Sequence, residues 1–305
     1  MTADNSAIWP ALPFASWQDT CATLQLWTQV VGKLRLAQAP MVNHWWQVVL
    51  YVSPRGLTTS AIPFGSGCFQ IDFDFIEHRL VISLSDGRID QFALRPMSVA
   101  AFYAEVMRRL RALGIDIHIW TQPQEIVDAI PFEQDERHAS YDAAHVHDFW
   151  RALMQADRVF NIFRGEFLGK VSPVHFFWGS FDHCVTRFSG RTAPPHPGGV
   201  PNMADWVTRE AYSHEVSSCG FWPGNGGFGQ AAFYSYTYPT PDGFADVALS
   251  VRGARFNRDL GEFVLPYDAV REATDPDALL LSFLRQTYAA AADCAKWDRG
   301  ALERA

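Results

Sequence analysis

The sequence predicts an α+β fold in which an antiparallel β-sheet, or two related sheets, carries helices packed on one side. Hydrophobic residues recur at helical spacing near the start, the middle and the end of the chain. Between these stretches they alternate with polar residues at the two-residue period of half-buried strands. Short turn sequences separate the predicted strands, which indicates antiparallel pairing. With 305 residues the chain can bury a large core.

The first predicted helix carries apolar residues between Trp17 and Leu34, with Ser16 as its N-cap. Pro40 ends it, because the residue before a proline avoids the helical conformation. The helix is expected to be amphipathic, with one face buried. The polar residues expected to point outward are Gln25, Gln29 and Lys33.

A meander of strands follows, because the period changes to two between His44 and Leu94. The predicted strands are residues 46–52, 57–62, 69–75, 80–84 and 89–93. Ser98 then caps a second helix, and Gly114 is expected to end it in a left-handed conformation. Alternation of isoleucines from Ile115 to Ile119 predicts one more short strand.

The second half repeats this order. A helix is predicted from about Asp142 to Phe163, and a final helix begins at Asp275-Pro276. The predicted strands between them are residues 174–178, 184–188, 210–217 and 231–238. A proline- and glycine-rich loop crosses from Ser189 to Asp205, and loops of that length in compact domains are usually functional or disordered.

These patterns divide the chain into an α+β half over residues 1–120, a polar linker over 121–140 and a second α+β half over 141–305. The linker is proline-punctuated and polar, as is typical of a boundary. A proline, a histidine and paired aromatic residues follow the first helix of each half, as Pro40–Trp46 and Pro173–Phe177. Duplication of one unit and a coincidence of short motifs both account for this similarity.

Composition excludes several classes of function. The net charge of −8 disfavours nucleic acid, which needs a basic face. No apolar stretch is long enough to span a membrane, and the N-terminus lacks the pattern of a secretory signal. Five scattered cysteines without a C-x-x-C pair indicate reduced core thiols rather than disulfides or a zinc ribbon. The cytoplasm is therefore the expected location.

Residues 170–222 form the candidate site, which lies in the C-terminal half. This stretch holds four of the ten histidines together with arginines and large aromatic residues. The candidate catalytic residues are His214, Arg187, Glu215 and His183. The candidate ligand-binding residues are Trp178, Trp206, Trp222, His175 and His44, because ring faces stack against a bound ring or sugar.

Strand alternation limits how these residues can combine. Thr186 and Phe188 should share one face of their strand, and Arg187 the opposite face. His214 and Glu215 can point into one pocket only if a bulge intervenes. The competing interpretation is a structural ion pair between Arg187 and Glu215 beneath the loop.

Three other chemistries have weaker support. A metal site would draw on His145, His147, Asp148, His175, His183, His214 and Glu215, yet no ligand spacing such as H-E-x-x-H occurs. Cys184 would need a remote base such as His214 to act as a nucleophile, and a buried inert thiol is favoured. The glycines of residues 224–229 lack the lysine of a phosphate-binding loop. No metal site is predicted and no cofactor is indicated.

Several long stretches spread over nearly the whole chain are specific enough to compare with known families. They are Val42–Trp46, Gly56–Thr59, Ser172–Gly179, Thr186–Gly190, Arg209–Glu215, Gly220–Gly224 and Leu260–Pro266. On these stretches the sequence resembles a bacterial protein family of unknown function. The resemblance implies a soluble bacterial protein whose two halves belong together, and it implies no activity, cofactor or catalytic residue.

Two functions from different classes follow as hypotheses. The chain is an enzyme acting on a small polar or anionic molecule, with His214 as acid/base and Arg187 binding an anionic group. Alternatively, it is a non-catalytic protein that binds a small molecule in an aromatic-lined pocket. A purely interaction-based role would require an exposed apolar patch elsewhere. The sequence indicates neither an oligomeric state nor a particular ligand.

Overall fold

Residues 8–304, which the computed structural model describes, form two antiparallel β-sheets of six strands each, with helices packed against them. The α+β class and the antiparallel sheets predicted from the sequence are confirmed. The helices are α1 (Phe14–Gln38), α2 (Val99–Ala112), α3 (Ala143–Gly165), α4 (Asp205–Ala211), α5 (Tyr267–Arg271), α6 (Pro276–Cys294) and α7 (Arg299–Leu302).

The first sheet has the strand order β1-β2-β4-β5-β6, with β3 paired to β4. Its strands are β1 (Tyr51–Ser53), β2 (Gly56–Thr58), β3 (Ile62–Phe64), β4 (Gly67–Asp74), β5 (Arg79–Leu84) and β6 (Ile89–Ala93). The second sheet has the order β11-β12-β10-β9-β8-β7. Its strands are β7 (His175–Phe177), β8 (Asp182–Thr192), β9 (His214–Trp222), β10 (Ala232–Tyr238), β11 (Arg255–Asn257) and β12 (Glu262–Pro266).

The two sheets meet edge to edge. The backbone amide of Leu50 donates to the carbonyl of Phe176 at 2.9 Å, and the amide of Phe176 donates back to Leu50 at 2.8 Å. This bridge lies beside β1 in one sheet and within β7 of the other. Each half runs from a long helix through a meander to a second long helix, which is the order expected if the halves are related.

The predicted amphipathic character of α1 is wrong, because this helix is buried on nearly every side. Gln25, Gln29 and Lys33 were expected to face solvent, yet they are 8%, 0% and 2% exposed. Their polar atoms bind backbone groups of neighbouring segments, which satisfies them inside the protein. The helix also begins at Phe14, so Ser16 lies inside it and caps nothing.

Three predicted strands change. The chain at His44 and Trp45 turns with positive φ angles of 59° and 63°, so only Tyr51 and Val52 of the predicted 46–52 strand belong to β1. Residues 115–119 bury Ile115 and Ile117 without joining a sheet. Residues 205–211 form α4, and β9 therefore starts at His214 rather than at 210.

The other predicted landmarks agree with the structure. The Ser98 hydroxyl accepts a hydrogen bond from the Ala101 amide at the start of α2, and Gly114 beyond its end has a φ of 82°. Asp275 caps α6 in the same way as Ser98 caps α2. The segment expected to be a linker, residues 121–140, folds against the rest of the chain and buries Phe132 completely.

One hydrophobic core runs through both halves. Trp27 of α1 lies near its centre, fully buried, and stacks on Phe102 of α2 with ring centroids 4.6 Å apart. It also stacks on Tyr141, at 5.4 Å. Buried rings that contact several elements contribute strongly to stability, since each removes a large apolar area from water.

The variant Trp27→Ala is expected to lower the free energy of unfolding by about 3–5 kcal/mol, because it leaves a cavity among α1, α2 and Tyr141. Urea unfolding monitored by circular dichroism measures this change. Ile89→Ala is the control, since Ile89 is 67% exposed on β6 and its truncation should change stability by about 0.5 kcal/mol or less. Equal losses in both variants would contradict the assigned core.

Candidate functional site

A cavity of about 870 Å³ lies between one face of the second sheet and the segment that covers it, residues 200–212. We call that segment the cover. The face of the sheet beneath it is the floor, which consists of Asp182, Cys184, Thr186, Phe188, Val216, Ser218, Tyr234 and Tyr236. The crossing loop, residues 189–205, contributes Val200, Asn202, Met203 and Ala204 to the lining of this cavity.

The floor follows from strand alternation. Residues 182, 184, 186 and 188 of β8 lie on one face, because successive side chains of a strand point to opposite sides. Pairing brings Thr186 opposite Ser218 of β9, and their hydroxyl oxygens are 2.9 Å apart. Tyr234 lies opposite Gly220, which leaves room for its ring to reach back over β9 towards β8.

The walls of the cavity are mainly apolar and aromatic. The tryptophan and phenylalanine residues that line it besides the floor are Trp45, Trp46, Trp120, Phe177, Trp178 and Trp206. Trp120 and Trp206 are 59% and 56% exposed, so they lie at the mouth. Trp178 is buried, and its indole N–H donates to the carbonyl of Val48 at 2.7 Å.

Asp182 forms the polar end of the floor. The hydroxyl groups of Ser180 and Tyr234 both donate to its carboxylate. Burial raises the pKa of Asp182 above its ordinary value, although the two donated hydrogen bonds oppose that shift. Burial and the nearby Asp182 charge raise the pKa of Tyr234, so this phenol stays protonated and can keep donating.

Glu125 brings a second carboxyl to the same cavity. Burial, with a smaller contribution from the charge of Asp182, raises the pKa of Glu125 to about 7. One of its carboxyl oxygens lies 1.9 Å from the point that a β-carbon on Gly179 would occupy, so a side chain at position 179 would displace this carboxyl. The backbone of Glu125 has a φ of 63°, which is strained for a residue with a side chain. The amide of Glu125 donates to the carbonyl of Pro201 at 2.9 Å.

Helix α1 holds the segments that carry these carboxyls. Gln29 exchanges two hydrogen bonds with the backbone of Gln124, at 2.9 and 3.0 Å. Gln25 donates to the carbonyl of Gly179 at 2.7 Å. Lys33 donates to the carbonyls of Trp120 and Gln122, at 3.0 and 2.5 Å, and burial lowers its pKa to about 8.

A pair of tyrosines joins the cover to the floor. The hydroxyl oxygens of Tyr212 and Tyr236 are 2.8 Å apart. Burial raises the pKa of Tyr212 to about 12, so the phenol remains neutral near pH 7. His196 stacks on Tyr212, with ring centroids 4.8 Å apart, and extends this contact to the loop before the cover. The cover is therefore anchored by hydrogen bonds and ring contacts.

Arg187 and His183 do not line the cavity, because both lie on the opposite face of β8. The Arg187 guanidinium donates to the carbonyl of Phe163 and lies 3.4 Å from the centre of that ring. His183 is fully buried and bonds Asp157 of α3 at 3.0 Å. The expected arrangement, with Arg187 and His214 facing one pocket, is not present.

His214 and Glu215 are also separated. A register shift between Phe188 and Thr192 does occur opposite them, but Glu215 uses it to pair with Arg191 at 2.6 Å. Glu215 therefore does not line the cavity, and it does not form the alternative ion pair with Arg187. His214 does not line the cavity, although its ring lies 5.7 Å from the ring of His44, which does.

His44 lines the cavity and is held on both sides. Its Nε2 is 2.9 Å from the Lys170 ammonium group, and its Nδ1 is 2.9 Å from the carbonyl oxygen of Ala211 in α4. The lysine can only donate, which assigns the ring proton to Nδ1. Burial lowers the pKa of His44, with the Lys170 charge adding to the shift, so the ring is neutral near pH 7.

Of the five candidate ligand-binding residues, three line the cavity and two do not. Trp178, Trp206 and His44 line the cavity. Trp222 does not, and its indole N–H bonds the side chain of Asn225 at 2.5 Å. His175 is completely buried beside Phe177, and neither of its ring nitrogens has a hydrogen-bond partner within residues 8–304. Burial lowers its pKa to about 3.

The structure gives little support to a cysteine nucleophile or to a metal site. Burial raises the pKa of Cys184 well above its ordinary value, so its thiol is protonated near pH 7 and is a poor nucleophile. No group of three or more histidine, cysteine, aspartate or glutamate side chains within residues 8–304 is arranged to hold a metal ion. The same residues contain no helix with the length and apolar character needed to cross a bilayer.

The sequence did not single out the carboxyls and tyrosines of the cavity. Asp182 and Cys184 share the alternation that put Thr186 and Phe188 on one face, so extending that pattern by two residues would have found them. Tyr234 and Tyr236 repeat the same period on β10. Glu125 has no such signal, because it lies outside any regular element in the segment expected to be a linker.

The raised pKa of Glu125 predicts a specific pH dependence. Its folded-state pKa of about 7 exceeds the ordinary value of 4.5, so between these values the folded protein keeps a proton that the unfolded chain has released. The stability gained from a neutral Glu125 is thus complete below pH 4.5 and is lost as the pH rises through 7. Glu125→Gln should remove this loss, gaining up to about 3 kcal/mol over the wild type by pH 8.

Urea unfolding at a series of pH values from 4.5 to 8 measures this difference. Glu133→Gln is the control, because Glu133 is exposed in the same segment and does not line the cavity. Parallel pH curves for the wild type and Glu125→Gln would show that Glu125 is not a buried, neutral group.

Comparison with known proteins identifies the family but no activity. A family model described as a family of unknown function, DUF5996, matches residues 9–304. No curated protein and no solved structure gives a significant match. Because the match covers nearly the whole chain, this protein belongs to the DUF5996 family.

Proposed function

We propose that this protein binds a small organic molecule with a largely apolar surface in the cavity beneath the cover. The observation that carries the proposal is the cavity itself. Its volume of about 870 Å³ falls within the range of small-molecule sites, about 300–1,000 Å³. Concave sites with mainly apolar and aromatic walls and a few converging polar groups are typical of small-molecule binding, and this cavity has both features.

The lining supports a ligand with an apolar body and a few polar groups. Six tryptophan and phenylalanine residues form walls against which a ring can stack. The polar groups lie together on the floor and beside it, including Asp182, Tyr234, Tyr236 and Ser218. Such a division between walls and floor favours one orientation of a bound molecule.

The charge of the lining disfavours an anionic ligand. Among the described residues, no lysine or arginine lines the cavity, and Arg187 faces the helices instead. An anion would enter beside Glu125 and Asp182 without a counter-charge, which is electrostatically costly. The proposal is therefore for a neutral or cationic molecule.

A second candidate function is acid/base catalysis, which Glu125 favours. A carboxyl group with a pKa of about 7 that lines a cavity can give or take a proton near neutral pH. Incubating the protein with a metabolite extract and following consumption by mass spectrometry tests this role. A compound consumed by the wild type but not by Glu125→Gln would establish catalysis, and no consumption by either leaves binding as the function.

We also propose a cytoplasmic location and a bacterial origin. All five cysteines are free, and three of them are buried as small apolar side chains. Free thiols are typical of proteins in a reducing compartment. The bacterial origin rests on the sequence resemblance alone.

Val207→Trp is expected to fill the cavity from the cover and to abolish ligand binding, because Val207 lines it from α4. Val127→Trp is the matched control: this valine is 79% exposed and does not line the cavity. Native mass spectrometry and thermal shifts against a library of aromatic small molecules measure binding. A ligand that binds Val207→Trp as well as Val127→Trp would exclude the cavity as its site.

A further inference from the structure

We propose that the ligand carries a protonated amine, which Glu125 and Asp182 receive at one end of the cavity between aromatic rings. This inference rests on the proposed function, since it names the chemical class of the molecule that the cavity binds. It is argued from three features: how the two carboxyls meet, what charges surround them and which rings lie beside them.

The two carboxyls come from distant parts of the chain and meet at the turn between β7 and β8. Glu125 lies against Gly179 in that turn, where even a methyl group would displace it. Asp182 begins β8 directly after the turn, and Ser180 within the turn donates to it. Both side chains line the cavity. A single ligand group placed near this turn can therefore approach both carboxyls.

Nothing in the described protein neutralises this pair. Neither Glu125 nor Asp182 takes part in an ion pair within residues 8–304; the partners of Asp182 are the neutral hydroxyls of Ser180 and Tyr234. Glu125 has no side-chain hydrogen bond of its own in the same part of the chain. Burial raises the pKa of both carboxyls, and the charge of Asp182 raises the pKa of Glu125 further; a bound cation would oppose both effects.

The aromatic rings of the segments that carry Glu125 and Asp182 are suited to binding an organic cation. Trp178 directly precedes Gly179, and Trp120 lies in the same segment as Glu125. Both rings line the cavity, and the Lys33 ammonium group lies 4.7 Å from the centre of the Trp120 ring. Tryptophan faces attract ammonium groups, most strongly where water is excluded.

An ammonium group accounts for these features better than a neutral polar group does. A neutral alcohol would leave two desolvated carboxyls with their repulsion intact. A bound amine converts that repulsion into two charge-assisted hydrogen bonds. The apolar walls then accept the rest of the molecule. The predicted ligands are therefore primary or secondary amines attached to one or two aromatic or aliphatic rings.

The test compares arylalkylamines having one or two rings with alcohols of the same carbon skeletons. Dissociation constants are measured at pH 7.5 by tryptophan fluorescence and calorimetry. The amines are expected to bind at least about tenfold more tightly than the matched alcohols, because a charge-assisted hydrogen bond is stronger than a neutral one by about that factor in affinity. In Glu125→Gln, which keeps only Asp182, this preference should shrink severalfold, while Glu133→Gln should keep it in full.

The outcomes separate this inference from the proposed function. Alcohols that bind the wild type as tightly as the amines would overturn the amine proposal and leave a small-molecule cavity. A preference for amines that is undiminished in Glu125→Gln would also overturn it, because Glu125 would then take no part in binding the amine. If neither class binds and Val207→Trp behaves like Val127→Trp throughout, the cavity is not a ligand site, and both proposals fail.

Discussion

The alternation of side chains along β8 is the constraint on which this site depends. Asp182, Cys184 and Thr186 enter the cavity, whereas His183 and Arg187 enter the layer of helices on the other side. One strand thus supplies both the floor of the cavity and part of the core. A one-residue shift in its pairing would exchange these two sets and would put an arginine in the cavity and a carboxylate among phenylalanines.

Helix α1 adds a second constraint, because its polar side chains act inside the protein. Gln25, Gln29 and Lys33 bind backbone carbonyls of the segments that carry Glu125 and Gly179. Buried amides and ammonium groups are tolerated only when they are hydrogen-bonded, so these contacts fix the segments in place. The first half of the chain thereby positions a carboxyl over the sheet of the second half.

Local patterns in the sequence predicted much of the fold but not the composition of the site. Alternation correctly separated Thr186 from Arg187, yet it could not say which face helices cover, because that depends on the distant packing of α3 and α6. The outward assignment of Gln29 assumed a surface helix, whereas α1 is central. Glu125 could not be predicted, since its place follows from tertiary contacts with Gly179 and Pro201 rather than from any local period.

The most direct test of this account uses two cysteines on opposite faces of the second sheet. Cys184 lines the cavity, whereas Cys219 lies in the core with its thiol 3.7 Å from the carbonyl oxygen of Val185. Both are buried, and burial raises the pKa of both, so access rather than acidity decides their labelling. Methylmercury chloride, with peptide mass spectrometry, measures each rate in the folded and the unfolded protein. Cys184 should react much faster than Cys219 in the folded protein and at a similar rate after unfolding. Equal protection of both thiols, or faster reaction of Cys219, would contradict an accessible cavity on this face of the sheet.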